Sequence, residues 1–191
     1  VIINCAGIIP QRGEENQTNL DYILINSVLP NYLADLSPKV IHITTDCVYN
    51  GYLGGYLEGD PHDDTSVYGK SKSLGENKKN TNIRTSIIGE TVKGRGLLEW
   101  VKSWSNTLPI LGYTNHWWNG VTCHELAKVI EGCIHTNHFW EGTRHLFSPE
   151  AVNKCKLIEM IGKVYDLELK VNPTKVDTID RTLKSEMGWC E

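Results

Sequence analysis

The stretch Thr65-Ser-Val-Tyr-Gly-Lys-Ser-Lys72 is the part of the sequence around which the fold is organised. It places Tyr68 and Lys72 four residues apart, so on a helix both lie on one face, about one turn apart. A phenol normally loses its proton at about pH 10, and a neighbouring ammonium lowers that pKa. The spacing predicts a tyrosine that exchanges a proton with a substrate oxygen near neutral pH. An amphipathic helix with a solvated lysine would show the same spacing.

The residues around the tyrosine predict where this helix begins. Asp64, Thr65 and Ser66 are all suitable N-caps, so the helix begins just before Tyr68 and holds the phenol near its first turn. Gly69 lies inside the helix, where glycine costs about 1 kcal/mol relative to alanine. A glycine at this position is favoured when another group approaches the backbone closely.

Short apolar runs on both sides of this helix predict buried strands. The predicted strands are 1–7, 39–45 and 82–88, and a helix over 20–36 separates the first two. Pro30 inside that helix predicts a kink or a break. Alternating strands and helices predict right-handed crossovers and a Rossmann-like parallel sheet, an α/β fold.

The ends of the predicted strands carry small or hydroxyl-bearing residues. They are Cys5, Ala6 and Gly7, then Thr44, Thr45 and Asp46, then Thr85 and Ser86. Ligands of such sheets bind beyond the carboxyl ends of the strands. The Thr45 hydroxyl either satisfies local backbone or binds a substrate carbonyl beside Tyr68. A hydroxyl, a phenol and an ammonium suit the reduction of a ketone by hydride, with the phenol protonating the developing alkoxide.

The second half of the sequence predicts a small α+β lobe over the ligand end of the sheet. We expect 1–90 to be the C-terminal part of the Rossmann-like sheet domain, with the catalytic residues. We expect 91–191 to be mainly a substrate-binding lobe that returns one strand or helix to the sheet. Within the lobe, 115–120 is predicted to be a loop and 180–187 a final helix.

Composition restricts the class of protein. The chain has 191 residues, a net charge of −4 and 40% hydrophobic residues, as expected for one globular core with an added lobe. No basic block suggests nucleic acid, and no signal peptide or membrane-length apolar run is visible. Six scattered cysteines without a Cys-x-x-Cys pair predict reduced thiols, no metal site and a cytoplasmic location.

Taken together, these motifs resemble the extended short-chain dehydrogenase/reductase family. The chain looks most like its dTDP-4-dehydrorhamnose reductase branch of nucleotide-sugar enzymes. The stretches that carry the resemblance are Ile3-Asn-Cys-Ala-Gly7, Asn26 with Pro30, His42-Ile-Thr-Thr-Asp-Cys-Val-Tyr-Asn-Gly51, Gly55-Tyr-Leu-Glu58 with Asp60, Tyr68-Gly-Lys-Ser-Lys72, Arg84-Thr-Ser86 and Asn119-Gly-Val121. Their order and spacing match to about residue 130.

The resemblance implies an NADP- or NAD-dependent reductase of a nucleotide-linked 4-keto-6-deoxy sugar, in polysaccharide biosynthesis. It implies Thr45, Tyr68 and Lys72 as catalytic residues. The cofactor would also contact Cys5, Ala6, Gly7, Thr85 and Ser86, and the sugar nucleotide would contact Asp46, Cys47 and Asn119. A homodimer is a further expectation, with neither nucleic acid nor a membrane as partner.

The sequence differs from patterns of this family at three informative places. The glycine-rich turn that holds the cofactor pyrophosphate is absent, and the chain opens at Val1 inside a predicted strand. We therefore expect a fragment that is inactive alone. Related dehydratases carry an Asp-Glu pair where this chain has Asp46-Cys47, which favours a reductase or an epimerase. Ile87 replaces a tryptophan of the rhamnose-forming enzymes and leaves the nucleotide open.

Two alternatives to the reductase remain open at this stage. A nucleotide-sugar epimerase of the same superfamily would interconvert sugars without net consumption of cofactor. A non-catalytic regulatory subunit, similar to the β subunit of methionine adenosyltransferase, would act through partner contacts.

Overall fold

The computed structural model describes residues 1–10, 17–91, 94, 96–104 and 108–187. The strands are β1 (Ile2–Asn4), β2 (Val40–Thr45), β3 (Thr81–Thr85), β4 (Ile87–Ile88), β5 (Ile110–Tyr113), β6 (His116–Trp118), β7 (Val121–Thr122), β8 (Gly142–His145), β9 (Val152–Asn153), β10 (Val171–Thr174) and β11 (Ile179–Asp180). The helices are α1 (Asn19–Ile23), α2 (Leu29–Leu36), α3 (Val67–Leu74), α4 (Leu97–Lys102), α5 (Cys123–His135) and α6 (Lys154–Val164). A π-helical segment (Leu24–Val28) joins α1 to α2, and a 3-10 turn (Asp46–Val48) follows β2.

The main sheet has four parallel strands in the order β1-β2-β3-β8. The predicted parallel α/β architecture is confirmed. The fourth strand, β8, comes from beyond residue 91, so the second half of the chain does return a strand to the sheet. The predicted strand over 82–88 is divided instead into β3 and β4, and β4 pairs with β7.

Side chains alternate between the two faces of the sheet, as the pleat requires. Ile41 and Ile83 point to one face and pack against Leu126 and Cys133 of α5. Burying each isoleucine contributes about 1.5–3 kcal/mol. The opposite face carries polar groups, among them Thr44, whose hydroxyl lies on the side of α3.

The helix predicted over 20–36 is not α-helical throughout. It consists of α1, the π-helical segment and α2. Pro30 lies in the first turn of α2, and the segment before it is π-helical. Proline has no N–H and clashes with the carbonyl four residues earlier, here that of Asn26. The wider π turn is consistent with that clash. The buried Asn26 carbonyl packs against Gly75 at the end of α3, where a Cβ would lie 2.0 Å from the oxygen.

The second lobe is built around α6 and several short strands. Its core contains Leu98 and Val101 of α4, Ile110 of β5, and Leu157, Ile158 and Ile161 of α6. β10 pairs with β5, and β6 lies between β11 and β9. The lobe begins with α4, and residues 105–107 after it lie outside the described ranges.

Two expectations for this lobe were wrong. Residues 115–120 contain β6 rather than only a loop, because β9 and β11 supply partners on both sides. Residues 180–187 are extended rather than helical. The backbone there pairs with Tyr56, whose N–H donates to Thr182 at 2.9 Å and whose carbonyl accepts from Lys184 at 2.8 Å.

Membrane spans and metal clusters were sought within the described ranges. None of the helices there is both long and apolar enough to cross a bilayer. The same residues contain no group of three or more His, Cys, Asp or Glu side chains that could hold a metal ion. The five described cysteines are free thiols, and Cys190 lies outside these ranges.

Candidate active site

The helix that carries the tyrosine begins where the sequence predicts. Ser66 is the N-cap of α3, and its hydroxyl accepts from the N–H of Gly69 at 3.0 Å. Tyr68 therefore lies in the first helical turn. Gly69 allows a close approach, because a Cβ there would lie 2.6 Å from the carbonyl oxygen of Cys47. This packing places the start of α3 directly beside the end of β2.

Tyr68 and Thr45 meet at the carboxyl end of β2. The side chain of Thr45 is near enough to the Tyr68 phenol to lower its pKa and so to oppose the rise that burial causes. The Thr45 hydroxyl also accepts from the N–H of Cys47 at 3.2 Å and donates to Oδ1 of Asp46 at 3.1 Å.

Lys72 is buried and lies beside the loop that follows β1. Its Nζ donates to the carbonyl of Ile43 at 2.9 Å. A Cβ added to Gly7 would lie 3.8 Å from the same Nζ, an ordinary contact distance, so the loop after β1 passes beside the ammonium. Burial lowers the pKa of Lys72 to about 8, although the charges of Glu76 and Cys5 oppose the shift.

The pKa of the Tyr68 phenol is shifted in the direction opposite to the one that the sequence predicts. Burial raises the pKa of Tyr68 above its ordinary value, the charges of Cys47 and Asp46 raise it further, and the contact with Thr45 opposes the rise. We had expected Lys72 to lower this pKa, but the ammonium is directed at the Ile43 carbonyl instead. Tyr68 therefore remains protonated at neutral pH, as a proton donor must be.

Asn26 holds the loop after β1 against α3. Its Oδ1 accepts from the N–H of Ile8 at 2.9 Å, and its Nδ2 donates to the Ile8 carbonyl at 3.0 Å and to Ser71 at 3.1 Å. The sequence contained Asn26 as part of the resemblance but gave it no role. Its side chain fixes the backbone that follows the predicted cofactor residues Cys5, Ala6 and Gly7.

Three other predicted site residues, Thr85, Ser86 and Asn119, differ in burial and in hydrogen-bond partners. Thr85 is buried at the end of β3, and Ser86 accepts from the Trp118 indole N–H at 2.9 Å. Asn119 is buried, and its amide exchanges two hydrogen bonds, each of 2.9 Å, with the backbone of Leu183. Asn119 therefore joins the segment after β6 to the C-terminal segment around Leu183, and its contact with substrate stays a prediction.

Asp46 and Cys47 lie next to Thr45, but the Asp46 carboxylate is directed at protein groups. It is 6% exposed and accepts from Thr45 and, at 3.5 Å, from the thiol of Cys47. Burial raises the pKa of Asp46, and the charges of Arg181 and Lys154 oppose the rise. Burial also raises the pKa of Cys47 to about 12, so this thiol is neutral at pH 7.

A buried ion-pair network beneath the site was not predicted. Arg84 is 1% exposed and forms a two-pronged pair with Glu76, with Nε–Oε1 3.0 Å and Nη2–Oε2 2.5 Å. The same guanidinium contacts Tyr49, His62 and, at 2.8 Å, His145. The network joins β3, β8, the end of α3 and the loop after β2. One signal was available: an arginine within a buried strand requires an anionic partner.

The buried histidine of this network makes stability depend on pH. Burial and the Arg84 charge lower the pKa of His145 from 6.5 to about 4. The unfolded chain therefore binds more protons than the folded one between these values, and the free energy of unfolding should fall as pH drops from 6.5 towards 4. Chemical denaturation at several pH values measures this slope.

A matched pair of variants tests that assignment. His145→Gln should reduce the fall in the free energy of unfolding between pH 6.5 and 4. His124→Gln, at an exposed position, should leave that fall unchanged. An unchanged slope in His145→Gln would contradict the assignment.

Curated proteins of known name are similar in sequence to part of this chain. No family model matches. The chain is 37% identical over 99 residues to the spore coat polysaccharide biosynthesis protein SpsK of Bacillus subtilis, covering 46% of this chain and 35% of that protein. It is 35% identical over 85 residues to the dTDP-4-dehydrorhamnose reductase of Mycobacterium tuberculosis, covering 40% and 28%. The matches thus span about a third of the length of these curated relatives.

Solved structures with the same fold cover nearly all of the chain. A dTDP-4-dehydrorhamnose reductase from Clostridium acetobutylicum aligns with a TM-score of 0.76 at 24% identity, over 92% of this chain and 65% of that one. The enzyme of the same name from Bacillus anthracis, in complex with NADP, aligns with 0.77 at 22%, over 95% and 70%. A UDP-glucuronic acid 4-epimerase from Bacillus cereus, in complex with NAD, aligns with 0.70 at 15%, over 97% and 63%. These likenesses establish the Rossmann-like fold.

The predicted resemblance is confirmed by these findings. The curated relatives and the solved structures carry the names of dTDP-4-dehydrorhamnose reductase and of related nucleotide-sugar enzymes.

Proposed function

We propose that this chain carries the catalytic residues of an NAD(P)-dependent reductase that acts on a nucleotide-linked 4-keto-6-deoxy sugar. The observation that carries the proposal is the close packing of the start of α3, which carries Tyr68, on the turn that follows Thr45, with Lys72 beside the loop after β1. The names of the relatives support the choice of substrate class.

The residues around Lys72 fit a nicotinamide cofactor. The loop after β1 carries Gly7 beside the lysine Nζ, and a Cβ there would meet both Lys72 and Asn26 within 3.8 Å. A small residue leaves room for a ribose whose hydroxyls the ammonium can hold. The glycine-rich pyrophosphate turn is not part of the 191-residue sequence. We therefore propose the activity for the native protein and expect residues 1–191 alone to be inactive.

The side chains divide the chemistry between them. Reduced NAD(P), when bound, supplies the hydride to C4 of the keto sugar. Tyr68 gives its phenolic proton to the oxygen that becomes an alkoxide, and the phenolate then regains a proton from water. Thr45 fixes the phenol beside that oxygen. Lys72 holds the ribose and keeps a positive charge near the developing negative charge.

The test is an assay of the native protein with a panel of nucleotide-linked 4-keto-6-deoxy sugars. The proposal expects one molecule of NADPH or NADH to be oxidised for each sugar reduced. Turnover of the sugar without net cofactor oxidation would instead identify an epimerase. No turnover, together with stoichiometric capture of a partner protein, would identify a regulatory subunit.

We also propose a homodimer, because a ridge of apolar side chains lies exposed along α1, the π-helical segment and α2. Leu20, Leu24, Val28, Tyr32 and Leu36 follow at intervals of four residues, and all are more than two-fifths exposed. Ridges with this spacing interdigitate with a second copy of themselves.

Light scattering after size exclusion tests the dimer. Tyr32→Glu should convert a particle of twice the chain mass into a monomer. Val164→Glu, on the exposed face of α6, is the control and should leave the mass unchanged. A dimer that survives Tyr32→Glu would exclude this ridge as its interface.

A further inference from the structure

The last described segment of the chain, residues 179–187, forms a strap between the second lobe and the loop that follows β2. The strap begins with β11, which pairs with β6 of the lobe. The N–H of Asp180 then donates to the carbonyl of Gly51 at 2.6 Å, and the N–H of Tyr56 donates to the carbonyl of Thr182 at 2.9 Å. The strap therefore ties the lobe to the loop after β2.

Arg181 lies between these backbone contacts and binds through two nitrogens of its guanidinium. Its Nε donates to the Tyr49 carbonyl at 2.7 Å, and its Nη2 donates to Oδ2 of Asp64 at 3.4 Å. The strap approaches closely here, because a Cβ on Gly51, whose φ is +89°, would lie 3.0 Å from Cγ of Arg181. Arg181 therefore fastens the strap to the loop at two points.

Asp64 extends this contact to the helix that bears Tyr68. Its Oδ2 accepts from Arg181, while its Oδ1 accepts from the N–H of Ser66 at 2.8 Å and from the Ser66 hydroxyl. Ser66 is the N-cap of α3, and its hydroxyl oxygen accepts from the N–H of Gly69 at 3.0 Å. One carboxylate thus joins the strap to the cap of α3, just before Tyr68 in the chain.

We propose that Arg181 is a positioning residue, which holds the first turn of α3 and the proton donor Tyr68 in place through Asp64. The proposal rests on the proposed reductase function and adds a residue of the strap to it. The side chains of Arg181 and Asp64 are 27% and 12% exposed, so water screens their attraction only in part. Because the strap also pairs with β6, the position of the proton donor depends on how the lobe is attached.

A double-mutant cycle tests whether Arg181 acts through Tyr68. Arg181→Ala should lower kcat of the native protein by about 10²-fold, the cost of a misplaced catalytic group. KM for the sugar nucleotide should change far less. In the Tyr68→Phe background the same substitution should have little further effect on kcat, because the proton donor is already absent. A general loss of structure would instead lower kcat by the same factor in both backgrounds.

A second readout does not depend on turnover. The N–H of Gly69 bonds to the N-cap, so its hydrogen exchange, followed by NMR, reports whether the first turn of α3 is held. Arg181→Ala should speed this exchange in the native protein. Asp64→Asn should do the same, because the amide has no charge to pair with the guanidinium. Lys184→Ala is the matched control, since it removes an exposed cation from the same strap and should change neither exchange nor kcat.

The outcomes separate this proposal from the proposed function. Faster exchange at Gly69 in Arg181→Ala, with a kcat loss that disappears in the Tyr68→Phe background, supports the positioning role. Unchanged exchange in folded Arg181→Ala overturns it, as does unchanged exchange in Asp64→Asn where the first variant does not fold. An equal loss of kcat in both backgrounds also overturns it. If exchange responds as described but the wild type reduces no keto sugar, the reductase is overturned and the hold of Arg181 on α3 stands.

Discussion

Tyr68→Phe should lower kcat of the native protein by about 10²–10⁴-fold, the usual contribution of a positioned proton donor. The substitution keeps the ring and its packing at the start of α3 and removes only the phenolic oxygen. The developing alkoxide would then have to take its proton from water. KM for the sugar nucleotide should change far less than kcat, because the lost interaction matters mainly in the transition state.

Steady-state kinetics with a saturating cofactor measure this effect. Tyr52→Phe is the matched control, because that side chain is 78% exposed and should leave kcat unchanged. A Tyr68→Phe enzyme with more than a tenth of the wild-type kcat would show that another group supplies the proton.

Glu76→Gln should lower the free energy of unfolding by about 3–5 kcal/mol. The substitution keeps the size of the side chain but leaves the Arg84 guanidinium, 1% exposed, without its counter-charge. Thr44 and Thr143 would also lose an ionised acceptor, at 2.8 and 3.1 Å. Arg84 links β3 to His145 of β8, so the sheet that carries Thr45 should be weakened with the pair.

Denaturation in urea, followed by circular dichroism, gives the magnitude. The control is Asp35→Asn, whose ion pair with Lys79 is exposed on both sides and should contribute about 0–1 kcal/mol. A loss in Glu76→Gln no larger than that of the control would mean that the buried pair contributes nothing net to stability.

The sequence was sufficient to predict the elements that position Tyr68. The strands and the helix start follow from local patterns: apolar runs, a serine cap and a glycine in the first turn. The carboxyl ends of parallel strands lie at one edge, so Thr45 and Tyr68 could be placed together before any coordinates. Each of these inferences depends on residues close in sequence or on a general rule for parallel sheets.

The features that were missed depend on contacts between residues far apart in sequence. Arg84 and His145 are separated by 61 residues, and Tyr56 pairs with a backbone segment near residue 183. That pairing overrides the local helical pattern of the last segment. Burial is the largest cause of the raised pKa of Tyr68. The spacing of residues in the sequence does not show how far a side chain is buried. The sequence also could not show that the Lys72 ammonium donates to the Ile43 carbonyl.

The most direct test is to follow the hydride. The native protein is incubated with a nucleotide-linked 4-keto-6-deoxy sugar and reduced cofactor deuterated at the transferred position of the nicotinamide. A reductase that protonates the alkoxide from Tyr68 should place deuterium on C4 of the product, with one cofactor oxidised for each sugar, and Tyr68→Phe should slow this transfer. Product without deuterium at C4, or labelled product formed without net oxidation of cofactor, would contradict the reductase.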